Sequence, residues 1–180
     1  MVSGMSRLLM VALLVFPTAA SADPLCDIFS ELRAGVLLHD AGVISNHKEN
    51  GVDANLEMLF ASPRLLEAIG APRPHLGMSV NTLGLTNQAY AGLTWRWDVT
   101  PRLFGEFSFG PGVNDGKLGK EDPERKALGS PVNFRESLSV GWQVTEHNSL
   151  SVMFDHISNG GLARYNGGMD GVGLRWGYRF

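Results

Sequence analysis

Apolar residues return at every second position through eight successive segments of this chain. A period of two puts them on one face of an extended strand, so the pattern commits most of the sequence to β-structure. The first segment sets Leu32, Ala34, Val36 and Leu38 against Glu31, Arg33 and His39; the second sets Val52, Ala54, Leu56, Met58 and Phe60 against Asp53, Asn55 and Glu57. Leu76, Met78 and Val80 mark the third, and Ala89, Ala91, Leu93, Trp95 and Trp97 the fourth, opposite Tyr90, Gly92, Thr94 and Arg96. The fifth carries Leu103, Phe107 and Phe109, the sixth Val132, Phe134, Leu138, Val140, Trp142 and Val144, and the seventh Leu150, Val152 and Phe154. The eighth alternates Val172, Leu174, Trp176, Tyr178 and Phe180 with Gly171, Gly173, Arg175, Gly177 and Arg179.

Two closed architectures use eight alternating strands. A soluble barrel turns its apolar face inward around a ligand, whereas a transmembrane barrel turns it outward to lipid and fills its interior with polar groups. The polar face here holds Arg33, Asp53, Glu57, Arg96, Glu106, Arg175 and Arg179 among glycines, which suits an ionic, hydrogen-bonded lumen. Connections alternate in length: residues 98–102 and 145–148 are short, while 40–51, 111–131 and 159–169 are long. Short periplasmic turns and longer external loops have this form. Residues 61–73 are the exception, a longer inner connection whose stretch 63–70 suits one or two helical turns. With the N-terminus inside, Trp95, Trp97, Trp142, Trp176, Tyr178 and Phe180 gather near the inner ends of their strands as an interfacial belt does. The expected fold is all-β, an eight-stranded antiparallel transmembrane β-barrel of the bacterial outer membrane.

The remaining composition narrows the class. Arg7, the apolar run 8–16 and the small residues Ala20, Ser21 and Ala22 read as a signal peptide over residues 1–22, which leaves residues 23–180 for one domain. No later window offers the roughly 18–20 uninterrupted apolar residues of a membrane-spanning helix. The single Cys26 has no partner for an internal disulfide, and a formal charge of -3 without a Lys/Arg run offers nothing to nucleic acid.

The chemistry concentrates in residues 154–161, FDHISNGG. Counting by twos from Leu150, Val152 and Phe154 brings His156 and Ser158 onto the same outward face, at the top of strand seven. Counting back from Val172 brings Asp170 outward at the top of strand eight. A symmetric hairpin then sets Asp170 opposite Ser158 and diagonal to His156, within side-chain reach. A serine hydroxyl is a weak nucleophile until an imidazole takes its proton, and a carboxylate orients that imidazole and stabilises its charged form. The turn Asn159-Gly160-Gly161 can present backbone N–H groups to an oxyanion, and Asn166 a side-chain amide. The plain alternative is that His156 and Ser158 only begin a solvated loop. Glu136, which interrupts the outward face of strand six, competes for the acid role and reads otherwise as a rim carboxylate. His39 points into the barrel, His47 and His147 fall in connections and His75 begins a strand, so none of these four joins the set.

His156-Ile-Ser158-Asn159, with Asn166 eight residues after the serine, Asp170 fourteen after the histidine and the last strand ending at Phe180, resembles the lipid A 3-O-deacylase family of outer-membrane acyloxyacyl hydrolases. The resemblance covers about the last 30 residues. It implies an eight-stranded barrel with the catalytic residues facing the membrane near the outer surface. Ser158 would attack the 3-linked ester of lipid A, His156 would serve as base and then acid, and Asn159 and Asn166 would help form the oxyanion site, with no metal or cofactor. The family's acid is usually Glu, so Asp170 departs from it by one methylene. Two other readings make different predictions. Outer-membrane phospholipases share an H-x-S-N-G run but use twelve strands, an Asn as third member and calcium; a structural or adhesive eight-stranded barrel would be indifferent to His156 and Ser158.

Overall fold

The computed structural model describes residues 28–180. The signal peptide expected over residues 1–22 and Cys26 lie outside the described residues. Eight strands, β1 (Phe29–His39), β2 (Val52–Phe60), β3 (Arg73–Asn81), β4 (Gln88–Asp98), β5 (Leu103–Asn114), β6 (Val132–Gln143), β7 (Asn148–Ser158) and β8 (Met169–Arg179), pair antiparallel in sequence order. The barrel closes where β1 meets β8, with Glu31 opposite Arg179 and His39 opposite Gly171. Closure leaves no strand edge unpaired, the condition for crossing lipid with β-structure. Where sequence spacing begins the third external connection at Pro111, β5 instead continues to Asn114 in pairing with β6.

Alternation decides what each face meets. Val36, Leu38, Leu138, Val140, Leu150, Val152 and Leu174 all face outward and are exposed in the isolated chain, an apolar band suited to lipid. Inside, Arg33 reaches Glu31 at 2.7 Å, Glu57 at 3.2 Å and Glu106 at 2.6 Å, and Arg175 shares Glu57 at 2.9 Å. Arg73 closes the inner end onto Glu31 at 2.6 Å and Glu106 at 3.1 Å. Higher in the lumen, Arg135 pairs with Asp155 at 2.8 Å and stacks 3.6 Å above the Tyr90 ring. Buried ions are costly unless each is paired and hydrogen-bonded, so shared partners are how a lumen this polar stays closed.

At the inner end the aromatics form the expected belt. Trp95 stacks on Phe107 with centroids 6.0 Å apart, and Trp176, Tyr178 and Phe180 follow one another along the end of the chain. The belt is tied to the inner connections: Trp95 Nε1 donates to the Ile69 carbonyl at 2.8 Å and Trp176 Nε1 to Asn148 Oδ1 at 3.0 Å. Ile69 ends the 3-10 helix η1 (Arg64–Ile69), the expected helical turn of the long inner connection. Four outer loops follow: L1 (residues 40–51), L2 (82–87), L3 (115–131) and L4 (159–168).

Candidate active site

β7 and β8 deliver the candidate residues, and their register differs from the symmetric hairpin in one respect. Asp170 pairs directly with His156, not with Ser158, because the ladder closes at the pair Ile157 with Met169 and leaves the eleven residues 158–168 between them. The asymmetry comes from L4 itself, whose Asn159 side chain acts as an internal cap: its Oδ1 accepts from Gly161 N at 2.9 Å, and its Nδ2 donates to the carbonyls of Tyr165 and Leu128 at 2.6 and 2.8 Å. On the other flank Glu136 pairs with His156 and Phe134 with Ser158. His156 therefore sits between two carboxylates on neighbouring strands.

Only one of these carboxylates engages the ring. His156 Nδ1 donates to Asp170 Oδ1 at 2.6 Å. Asp170 Oδ2 accepts the backbone N–H groups of Ile44 and Ser45, each at 2.8 Å, and its carbonyl accepts from Ala41 N at 3.0 Å. Each carboxylate oxygen is thus an acceptor, which suits the ionised form, and the imidazole is left with Nε2 open. Glu136 is exposed and has no hydrogen bond or ion pair among the described residues.

L1 makes the difference. Although parity turns His156 outward, the side is roofed and His156 is only 7% exposed, Asp170 1%. Gly42 lies against Asp170 so closely that a Cβ there would overlap the carboxylate. L1 is itself held by Asp40, whose Oδ2 accepts from Lys48 N at 2.6 Å and Glu49 N at 3.0 Å. Glu49 in turn ties L1 to L3 and L2: its carboxylate accepts from Lys126 N at 2.9 Å, Arg125 Nε at 3.0 Å and Thr86 N at 3.2 Å. Burial pushes the Glu49 carboxyl up, but the bonds from His39, Lys126, Thr86 and Arg125 outweigh it and hold it well below the usual carboxylate range.

Periodicity cannot find this roof, because Ile44 and Ser45 stand 126 and 125 residues from Asp170. The local signal is the turn at Asp40, in the left-handed region at φ 48°, followed within two residues by Gly42. L3 also packs on L4: Gly129, at φ 77°, has the Tyr165 carbonyl where a Cβ would stand.

Ser158 is half-buried, and among the described residues no hydrogen bond joins its Oγ to His156. Residues two apart on a strand face are about 6.7 Å apart along the backbone, a gap an imidazole and a hydroxymethyl group can span. Of the expected oxyanion donors, Asn159 has its amide hydrogens engaged within the loop. Asn166 accepts Asn159 N through Oδ1 at 3.0 Å, which leaves its Nδ2 open in an exposed position, and Gly160, at φ 64°, is exposed with no hydrogen bond to its backbone N–H among the described residues. His39, His47, His75 and His147 all lie elsewhere: His39 on Asp53 and Glu49, His75 on Thr94, His47 and His147 on backbone carbonyls. Among the described residues no group of three or more His, Cys, Asp or Glu is disposed to hold a metal.

A closed eight-stranded barrel with an apolar outer band, an ionic lumen and an inner aromatic belt is a transmembrane barrel of the outer-membrane class, here with a Ser, a His and a carboxylate at one strand-to-loop rim. Solved structures agree on the fold. The crystal structure of the outer membrane enzyme PagL superposes with a TM-score of 0.64 at 18% identity, over 84% of this chain and all of that one. Neisserial surface protein A gives a TM-score of 0.52 at 11% identity, over 86% of this chain and 97% of that one. Sequence distinguishes between such barrels: residues 74–179 match the family model for lipid A 3-O-deacylase (PagL). The chain belongs to the lipid A 3-O-deacylase family. Lipid A deacylase PagL of Bordetella bronchiseptica is 29% identical over 93 residues, which are 52% of this chain and 50% of that protein, so the match spans half of the relative's length.

Proposed function

We propose that the protein is an esterase of the outer membrane that removes the 3-O-linked acyl chain of lipid A. The observation that carries the reading is the bond from His156 Nδ1 to Asp170 Oδ1 at 2.6 Å, on the strand face that also bears Ser158. An imidazole anchored through Nδ1 to a carboxylate has Nε2 as its working nitrogen, the tautomer a serine hydrolase needs. Family membership supports the substrate, and the outward parity of the three residues at the outer rim supports a lipid approaching from the outer leaflet.

The steps follow from the groups present. Ser158 Oγ attacks the ester carbonyl as His156 Nε2 takes its proton, and Asp170 stabilises the imidazolium. The Gly160 N–H and Asn166 Nδ2 donate to the oxyanion, while Asn159 holds Asn166 and the Gly161 N–H through its bonds within L4. Collapse breaks the bond to the sugar oxygen, which leaves with the proton from His156. Water, deprotonated by His156, then cleaves the acyl-serine and releases a fatty acid. No step calls for a metal.

The test is refolded protein in detergent, incubated with lipopolysaccharide and read by mass spectrometry beside a Ser158→Ala control. Loss of one 3-linked acyl chain only with the intact serine is the expected result. Fatty acid released from glycerophospholipid alone would make it a phospholipase, and release from neither would leave a structural barrel.

A further inference from the structure

Between L1, L3 and L4 lies a cavity of about 350 Å³ onto which Lys48, Lys120, Lys126 and Arg164 converge, with Asn166 and Gly167 in its wall. Four cations in one recess are notable in a chain of formal charge -3. Lys126 is neutralised by Asp40 at 3.0 Å. Among the described residues Lys48 Nζ donates only to the Pro123 carbonyl at 3.2 Å, and Lys120 and Arg164 sit 5.6 and 5.5 Å from the Tyr165 ring centre. Among the described residues none of these three is ion-paired. The neighbouring outer cavity shares Lys48 and adds Arg125 but sets them against Glu49, Asp122 and Glu124, so the positive excess belongs to the first.

The cavity is continuous with the candidate site through the chain. Asn46, on one wall, follows Ser45, whose N–H holds Asp170. Gly167, on the other, precedes Gly168, whose Cβ position is 3.2 Å from His156 Cε1. Asn166 belongs to both, lining the cavity while it holds Asn159. Across Ser158, a mainly apolar cleft of about 270 Å³ runs beside Phe134, Leu162 and Ala163, and Phe134 is the register partner of Ser158. L4, the loop that follows Ser158, thus lines a cationic cavity through Arg164 and Asn166 and an apolar one through Asn159, Leu162 and Ala163.

We propose that the basic cavity is an anion subsite that takes a phosphate monoester carried on the sugar headgroup of the glycolipid substrate, while the acyl chain lies along Phe134. The inference rests on the lipid A reading of the site. Phosphate suits the residues, since Arg164 offers a planar fork for two oxygens and the lysines supply point charges at variable reach. The subsite orients the substrate, so that the ester presented to Ser158 is the one a sugar's width from the phosphate.

The experiment compares kcat/KM for lipid A with that for the same lipid after enzymatic dephosphorylation, in the intact protein and in a Lys120→Gln, Arg164→Gln double variant. Because the ratio is taken within each protein, the fraction correctly folded cancels. The intact protein is expected to favour the phosphorylated lipid by about tenfold or more, as one or two charge-assisted contacts allow, and the double variant to approach a ratio of one. An absent preference, or one the double substitution leaves intact, overturns the proposal. Binding of the two lipids to Ser158→Ala protein in micelles separates the subsite from the reaction. Tighter binding of the phosphorylated lipid that the double substitution removes upholds the subsite even if neither lipid is hydrolysed, and equal binding overturns it even if both are. Inorganic phosphate should compete for that preference; saturating phosphate that leaves it untouched would put the lipid phosphate elsewhere and sink the idea.

Discussion

The lumen and the outer rim both bury carboxylates against cationic or imidazole groups, yet they distribute the partners differently. In the lumen the single Arg33 touches Glu31, Glu57 and Glu106, and each of the three has a further arginine. At the rim Asp170 has one side-chain partner, His156, and its other oxygen rests on two backbone N–H groups of L1. A shared network commits each of these buried charges to an opposite charge and holds the barrel closed. The rim leaves His156 Nε2 and Ser158 Oγ without partners among the described residues, and such groups are available for chemistry.

That contrast predicts separable losses. The largest is Ser158→Ala, expected to lower turnover about 10⁴-fold or more with the barrel still folded, as removal of the nucleophile from a triad does; residual activity within tenfold of the parent would make the serine a bystander. Asp170→Asn comes next, at about 10²–10⁴-fold, because the wrong tautomer is held opposite the serine, whereas Glu136→Gln should cost less than about threefold. The reverse order in steady-state assays would move the acid role to Glu136.

Glu57→Ala attacks the other region. It strips a buried carboxylate from Arg33 and Arg175, a loss of about 3–5 kcal/mol in urea unfolding from detergent, while turnover per folded molecule holds. A lumen change that leaves stability intact but kills turnover would erase the distinction. Gly42→Ala probes the roof: the added Cβ displaces Asp170 or L1, and about a tenfold fall in kcat is expected, since misplacement near the reacting groups costs rate even without loss of a catalytic atom. Unchanged kcat would mean that the L1 roof plays no part in placing the acid.

The smallest effect concerns pH. Glu49 is held below its ordinary value of 4.5, so its contribution to the L1–L3 tie is fully present above that value and fades only as pH falls through the depressed one. Hydrogen exchange of the Lys126 amide, corrected for intrinsic rate, should stay protected down to about pH 4, near the unfolded carboxylate range. Loss of protection already between pH 5 and 6 would mean that the tie depends on something other than Glu49.

Much of the barrel was legible because the relevant signal is local. A strand's faces alternate residue by residue, so His39 inward, His156, Ser158 and Asp170 outward in parity, and the indoles at the inner ends all follow from counting. Other features depend on loops meeting across the rim. The sequence offered both Asp170 and Glu136 to His156, and both are indeed its register neighbours; side-chain rotation and the L1 amides, not strand order, gave the bond to Asp170. Asn159 reads as an oxyanion donor from its place after the serine, but its amide hydrogens are used by the carbonyls of Leu128 and Tyr165.

By itself, then, the sequence determined the number of strands, the side of the wall on which each residue stands and the short list of reactive groups, because a two-residue period needs no distant partner. Tertiary structure decided the two-residue shift in the β7–β8 register, the roof that L1 lays over His156, the carboxylate that takes the imidazole and the gathering of Lys120 and Arg164 between the outer loops. Those outcomes join residues up to 126 positions apart, and no periodicity within a strand carries information over that span.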